Sequence, residues 1–134
     1  MKISKRTGRA LYEITVICRF TASHRLLCPG QGWEDMHEHT WRAEAIARSR
    51  GVDEAGMAID FRFFKAILEE VISRVDGRCL NKTPPFDRLP PSAENVAWYI
   101  FENLREHLGR KADLHRVIVW ESEDCAAAYI GEKE

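Results

Sequence analysis

The sequence predicts a single α+β domain. Two early segments alternate apolar and polar residues, two later ones repeat apolar residues at helical spacing, and two short alternating segments close the chain. The order strand, strand, helix, helix, strand, strand segregates helices from strands, which is the α+β pattern. A length of 134 residues suits one domain spanning the whole chain, with one core.

Each element has its own signal. From Leu11 to Phe20, the residues Tyr12, Ile14, Val16, Cys18 and Phe20 share one face, with Glu13, Thr15 and Arg19 on the other. Cys28-Pro-Gly-Gln-Gly32 reads as a loop. A second strand runs from His37 to about Arg48, with His37, His39, Trp41, Ala43, Ala45 and Ala47 on one face and Glu38, Arg42, Glu44 and Arg48 opposite. Asp60 is placed to cap a helix from Phe61 to Val75, whose stripe is Phe61, Phe64, Leu68, Val71, Ile72 and Val75. Residues Lys82 to Pro91 hold four of the five prolines and read as irregular. Ser92 is an N-cap, Glu94 sits in the first turn behind it, and Val96, Ile100, Leu104 and Leu108 form the apolar face of a second helix. Arg116 to Glu121 and Ala126 to Ile130 read as the closing strands.

Composition narrows the function classes. A net charge of −1 does not fit a general polyanion binder, so no nucleic-acid partner is expected. No stretch approaches transmembrane length, so no membrane partner is expected either. Lys2, Lys5, Arg6 and Arg9 could open a signal peptide, but the apolar run behind them is interrupted by Glu13 and Arg19. The four cysteines, Cys18, Cys28, Cys79 and Cys125, form no C-x-x-C pair and fit reduced thiols. The expected location is the cytoplasm.

The chemistry-bearing feature is a set of three histidines. His37 and His39 form an H-x-H pair, and on a strand such a pair points both rings to one face. His24 has the same parity as the inward set of the first strand, so pairing of the two strands would bring it opposite the H-x-H pair if the first strand extends that far. Three histidines with an open fourth position suit a catalytic zinc ion, which could polarise a substrate hydroxyl or carbonyl or acidify bound water. A strand histidine also serves as an ordinary hydrogen-bond partner, so spacing alone allows a metal without requiring one.

The residues around these histidines carry a resemblance. Phe20-Thr-Ala-Ser-His-Arg-Leu26, His37-Glu-His-Thr-Trp41, Gly56-Met-Ala-Ile-Asp-Phe61, Leu80-Asn81, Pro91-Ser-Ala-Glu-Asn95 and Val119-Trp-Glu121 resemble, in order, the blocks of the 6-pyruvoyl-tetrahydropterin synthase family, which includes 6-carboxy-tetrahydropterin synthases. The resemblance implies the tunnelling fold: a four-stranded antiparallel sheet with two helices on one face, assembled as homotrimers that stack into hexamers. It implies Zn2+ on His24, His37 and His39. It further implies a pterin substrate whose guanidine-like edge is held by Glu121, a carboxylate able to accept two parallel N–H bonds. Glu94, in the fifth block, is the second candidate for substrate binding. The implied activity is that of a carbon–oxygen lyase working on the side chain of a dihydroneopterin triphosphate-like substrate, in queuosine, folate or biopterin synthesis.

Glu38 replaces the usual glycine of the second histidine block, and two functional positions also depart from the family pattern. Trp33 stands where the reactive cysteine is usual, and Gly77, in Val75-Asp-Gly-Arg-Cys-Leu-Asn81, stands where the general-base histidine is usual. Loss of a positioned acid or base typically costs about a hundredfold or more in rate. Glu34, three residues before His37, resembles the glutamate of a variant branch that cleaves the substrate side chain to a hydroxymethyl-dihydropterin. It is the leading candidate for proton transfer, with Asp35 its neighbour and competitor. Cys28 and Cys79 could supply a thiolate, and Asp76 matches the aspartate of the usual proton relay. Trp33 could wall the pocket for a flat ring or pack at the loop base. The alternative function is a catalytically silent pterin- or purine-binding relative.

Overall fold

The computed structural model describes residues 11–110 and 112–131; the basic residues Lys2 to Arg9 lie outside them. The element order is β1 (Tyr12–His24), β2 (Leu27–Cys28), β3 (Gly32–Trp33), β4 (His37–Ser49), α1 (Phe61–Ile72), β5 (Arg78–Cys79), a single 3-10 turn (Leu80–Lys82), α2 (Ala93–Leu108), β6 (Asp113–Trp120) and β7 (Ala126–Ile130). The main sheet has five strands in the order β5-β1-β4-β6-β7. The four long strands are antiparallel as expected, but the sheet is mixed. Arg78 and Cys79 pair in parallel with Ala22 and Ser23 and add a two-residue fifth strand at the edge.

The alternation predicted for the first two strands sets the fold. β1 and β4 pair along their whole lengths, from Tyr12 opposite Ser49 to His24 opposite His37. Ile14, Val16, Phe20 and Ala22 of β1 and Trp41, Ala43, Ala45 and Ala47 of β4 are buried in one core with both helices. The alanines are fully covered, because small side chains let the helices lie close to the sheet.

Helix α1 is capped as expected: the Asp60 carboxylate accepts from the Arg62 N–H at 2.9 Å. It ends three residues before Val75, where the Arg74 and Val75 N–H groups bond to Val71 and Ile72 three residues back and tighten the chain into turns. Val75 is buried all the same, whereas Phe61, expected in the apolar stripe, is 62% exposed at the first helical position. Ser92 caps α2 by accepting from the Asn95 N–H at 3.2 Å. Strand β6 starts three residues earlier than expected and ends at Trp120, leaving Glu121 in the turn, where its N–H bonds to the Cys125 carbonyl. All four cysteines are free thiols. Among the described residues, no helix is long and apolar enough to cross a membrane.

Candidate metal centre

The extension of β1 to His24 decides the site. His24, the last residue of β1, lies opposite His37, the first of β4, and His39 lies one pleat further along. Ring centroids are 4.6 Å apart for His24 and His37, 4.6 Å for His37 and His39, and 5.4 Å for His24 and His39. Register between β4 and β6 then brings Glu121 to the same corner, because Trp120 pairs with Arg42 and the chain turns directly beyond it. One Glu121 oxygen, Oε1, lies 3.1 Å from His24 Nε2, 3.1 Å from His39 Nε2 and 3.9 Å from His37 Nε2.

The hydrogen bonds on the far sides of the rings fix what these nitrogens offer. His24 Nδ1 donates to the Pro91 carbonyl at 2.7 Å, and His37 Nδ1 donates to the Asp35 carbonyl at 2.8 Å. A carbonyl only accepts, so Nδ1 of each ring carries a proton; His24 Nε2 also makes a 3.1 Å hydrogen-bond contact with Glu121 Oε1, and a cation seated there would take the Nε2 lone pairs of the neutral rings in its place. His39 Nε2 is buried and has no hydrogen-bond partner; its 3.1 Å approach to Glu121 lacks hydrogen-bond geometry. Burial is the main cause that lowers the His39 pKa from its ordinary 6.5; the Glu121 carboxylate opposes that shift, and the His37 and His24 rings add to it. A buried, unsatisfied His39 nitrogen and two further Nε2 atoms directed at one carboxylate form an arrangement that a cation can complete. His24, His37, His39 and Glu121 form a group that could hold a metal ion, their ligand atoms all lying within 4.8 Å of one another. Imidazole and carboxylate donors suit borderline divalent ions.

The structure does not gather every candidate here. Glu34 braces the β2–β3 hairpin: its N–H bonds to the Leu26 carbonyl at 2.9 Å, and its Oε1 accepts from the Leu26 N–H at 3.0 Å. Cys28 lies in that hairpin opposite Gly32, outside the cluster. Asp76 accepts from the Thr21 N–H at 3.0 Å and so ties the end of the α1 turns to the edge of β1. Glu94 is exposed on the first turn of α2. Cys79 sits in the edge strand opposite Ser23. Gly77 has φ +74°, a backbone conformation that L side chains rarely adopt, and its N–H reaches the Thr21 carbonyl at 2.6 Å. A histidine on this backbone would be strained.

Two supporting groups escaped the sequence reading. The Pro91 carbonyl orients His24, and no side-chain pattern announces a backbone acceptor. Asn81 accepts from the Arg25 N–H at 2.9 Å and donates to the Arg25 carbonyl at 3.0 Å, so it clamps the residue after His24 as a strand partner would. The Leu80-Asn81 block pointed to this position without revealing its partner. Beside the clamp opens a cavity of about 510 Å³, lined by Arg25, Trp33, Asn81, Phe86, Arg88 and Pro91 among others. Trp33 thus stands at a cavity wall, with the Arg25 guanidinium 4.6 Å from its ring centre.

Comparison with known proteins places the chain in a family. A family model described as 6-pyruvoyl tetrahydropterin synthase matches residues 13–132. A dihydroneopterin monophosphate aldolase of Pyrococcus furiosus is 31% identical over 78% of this chain and 85% of its own length. A putative 6-carboxy-5,6,7,8-tetrahydropterin synthase of Archaeoglobus fulgidus is 32% identical over 83% of this chain and 89% of its own. The structure of Caenorhabditis elegans 6-pyruvoyl tetrahydropterin synthase shares the fold, with TM-score 0.82 at 23% identity over 95% of this chain and 100% of that one. A Plasmodium vivax 6-pyruvoyltetrahydropterin synthase, solved with alanine replacing a glutamate described as a catalytic residue, has TM-score 0.70 at 19% identity over 90% of this chain and 97% of that one. The family match runs through both histidine strands and the Glu121 turn, so the chain belongs to the 6-pyruvoyl tetrahydropterin synthase family.

Proposed function

We propose that the protein is a zinc-dependent enzyme that acts on the side chain of a phosphorylated dihydroneopterin. The observation that carries this reading is the convergence of three imidazole Nε2 atoms beside Glu121, with the His39 nitrogen buried and unpartnered. His24, His37 and His39 hold the ion, which when bound stabilises negative charge developing on a side-chain oxygen of the substrate. Glu121 takes the guanidine-like edge of the pterin through two parallel N–H bonds, and its place against the histidines seats the ring with its side chain near them.

Glu34 carries the proton. One of its oxygens is engaged by the Leu26 N–H, which orients the carboxylate and leaves the other for the substrate. A relative named as a dihydroneopterin monophosphate aldolase supports action on the side chain, and a structure altered at a glutamate described as a catalytic residue supports a carboxylate in this role. The left-handed backbone at Gly77 supports the same conclusion from the other side, because the chain there is shaped for glycine and not for a histidine base. Cys28 and Asp76 have structural engagements instead, and Glu94, exposed on the first turn of α2, stays a second candidate for substrate binding. The working form is a trimer or a stacked hexamer in the cytoplasm; the outer edge of β7 and the 56% exposed Ile130 support such an assembly.

The test is turnover of dihydroneopterin triphosphate and monophosphate by purified, zinc-loaded protein, with products separated by chromatography. We expect side-chain conversion, and a loss of about a hundredfold or more in Glu34→Ala. Full activity in that variant would remove Glu34 from the mechanism. Tight pterin binding with no conversion above buffer would favour the second reading, a silent pterin binder, which the replacements at Trp33 and Gly77 motivate.

A further inference from the structure

We propose that the cavity beside the metal centre is a subsite for the phosphorylated tail of the substrate, with Arg25 and Arg88 as its anion-binding pair and Trp33 as the residue that positions Arg25. The inference rests on the pterin reading above and adds the part of the substrate that reading leaves unplaced.

Position is the first argument. Arg25 directly follows His24 in the chain, and Pro91, whose carbonyl accepts from His24 Nδ1, forms part of the cavity wall. The cavity is therefore joined to the histidine corner through Arg25 and Pro91, on a side that an extended tail could reach. Its volume of about 510 Å³ lies in the range of small-molecule sites and exceeds what one phosphate fills.

Charge is the second. The lining holds two guanidiniums and one carboxylate, Asp87, which leaves an excess positive charge. Neither Arg25 nor Arg88 forms an ion pair among the described residues, although Arg19, Arg42, Arg48, Arg62, Arg78, Arg105 and others lie on the same small domain and several of these are paired. Guanidiniums have a planar fork of donors that matches phosphate oxygens.

Order is the third. Asn81 clamps both backbone groups of Arg25, at 2.9 and 3.0 Å, and the Arg25 guanidinium lies 4.6 Å from the centre of the Trp33 ring, within cation–π range. An arginine held at its backbone and at its head loses less freedom when an anion binds. The tryptophan at a position where the family has a cysteine thus gains a role: it holds a cation over the cavity mouth.

The experiment measures binding of the oxidised, fluorescent ligands neopterin, neopterin monophosphate and neopterin triphosphate to the metal-loaded, full-length protein, and binding of tripolyphosphate by calorimetry. We expect the phosphate esters to bind about tenfold or more tighter than neopterin. Arg88→Gln and Arg25→Gln should each erode that advantage and leave neopterin itself unchanged. Trp33→Leu should weaken ester binding less than Arg25→Gln does. Both arginines are exposed, so neither change threatens the fold. Equal binding of neopterin and its esters overturns the subsite, as does an advantage that survives both arginine substitutions. Tripolyphosphate binding that vanishes in the double variant, with no pterin bound, would defeat the pterin reading and leave the anion site standing.

Discussion

The two ends of the β1–β4 ladder obey one rule of side-chain alternation and reach opposite outcomes. Along β4, the parity that buries Ala43, Ala45 and Ala47 is the parity that carries His37 and His39. At the alanine end, α1 and α2 cover the sheet, and side chains without polar atoms fill the space between. At the histidine end the covering is thinner. His24 is fully buried under the loop that ends at Pro91, while His37 and His39 remain 33% and 28% exposed beside Glu121. The same pleat that makes a core where helices lie over it makes a ligand set where they do not. The lesson is that the cover over a strand face, not the strand itself, sets whether inward residues pack or bind.

The sharpest way to break the comparison is to remove a histidine. His24→Ala should abolish stoichiometric zinc binding, read by metal analysis after desalting. The loss in affinity should exceed the roughly ten- to hundredfold that follows removal of a group merely hydrogen-bonded to a ligand. Unaltered zinc content in His24→Ala would mean that the cluster is not the metal site.

Acid should do reversibly what that substitution does permanently. Burial, chiefly, holds the His39 pKa below its ordinary 6.5. Above that value neither the folded nor the unfolded chain binds a proton there, so His39 contributes nothing to the pH dependence. Below it the unfolded chain takes up a proton that the folded chain resists, so stability falls as pH drops from the ordinary value to the lowered folded-state pKa and levels off beneath it. Protons also compete directly with the ion for the Nε2 lone pairs. We expect zinc loss on acidification and a parallel fall in midpoint temperature, recovered on return to neutral pH. A metal content independent of pH down to the carboxylate range would contradict imidazole ligation.

Most of this contrast was legible in the sequence, and the reasons for the gaps are physical. Alternation placed His37, His39 and the alanines on one face, because side-chain direction on a strand is fixed by parity. Parity also admitted His24, but only pairing to the very end of β1 brought it opposite His37, and strand ends have no local signal comparable to a cap. The fifth strand was invisible because Arg78 and Cys79 form it through backbone bonds to β1. Helix α1 was read too long because Val75 keeps helical spacing and burial after the helix has tightened into turns. Of the cavity only the Trp33 wall was anticipated. Its walls come from the corner after β1, the short hairpin and the proline-rich segment, and only tertiary structure brings those three together.

The opposite end of the ladder can be broken in its turn. Ala45 is fully covered, and Leu at that position must displace α1 or α2 from the sheet. Overpacking of this kind costs about 1–3 kcal/mol. We expect Ala45→Leu to lower the unfolding free energy from chemical denaturation by that amount and to keep stoichiometric zinc, the reverse of the zinc loss in His24→Ala. Loss of zinc in Ala45→Leu would show that the two ends of the ladder are mechanically joined.

The smallest effect tests whether the cover over the histidines is independent of the helix that follows it. Ser92 both caps α2 and directly follows Pro91, the acceptor for His24. Removing the hydroxyl in Ser92→Ala takes away the bond from the Asn95 N–H and should cost about 1 kcal/mol of stability. If the loop merely rests on the helix, the zinc affinity stays the same. If the cap also fixes the Pro91 carbonyl, His24 loses part of its orientation and the affinity falls by a further measurable factor. The Asn95 side chain argues for the first outcome. It donates to the Pro90 carbonyl at 2.8 Å and so keeps the segment in place without the serine hydroxyl. Asn95→Ala in the same background should then release the segment, and zinc competition against a chelator would read the difference between the two variants.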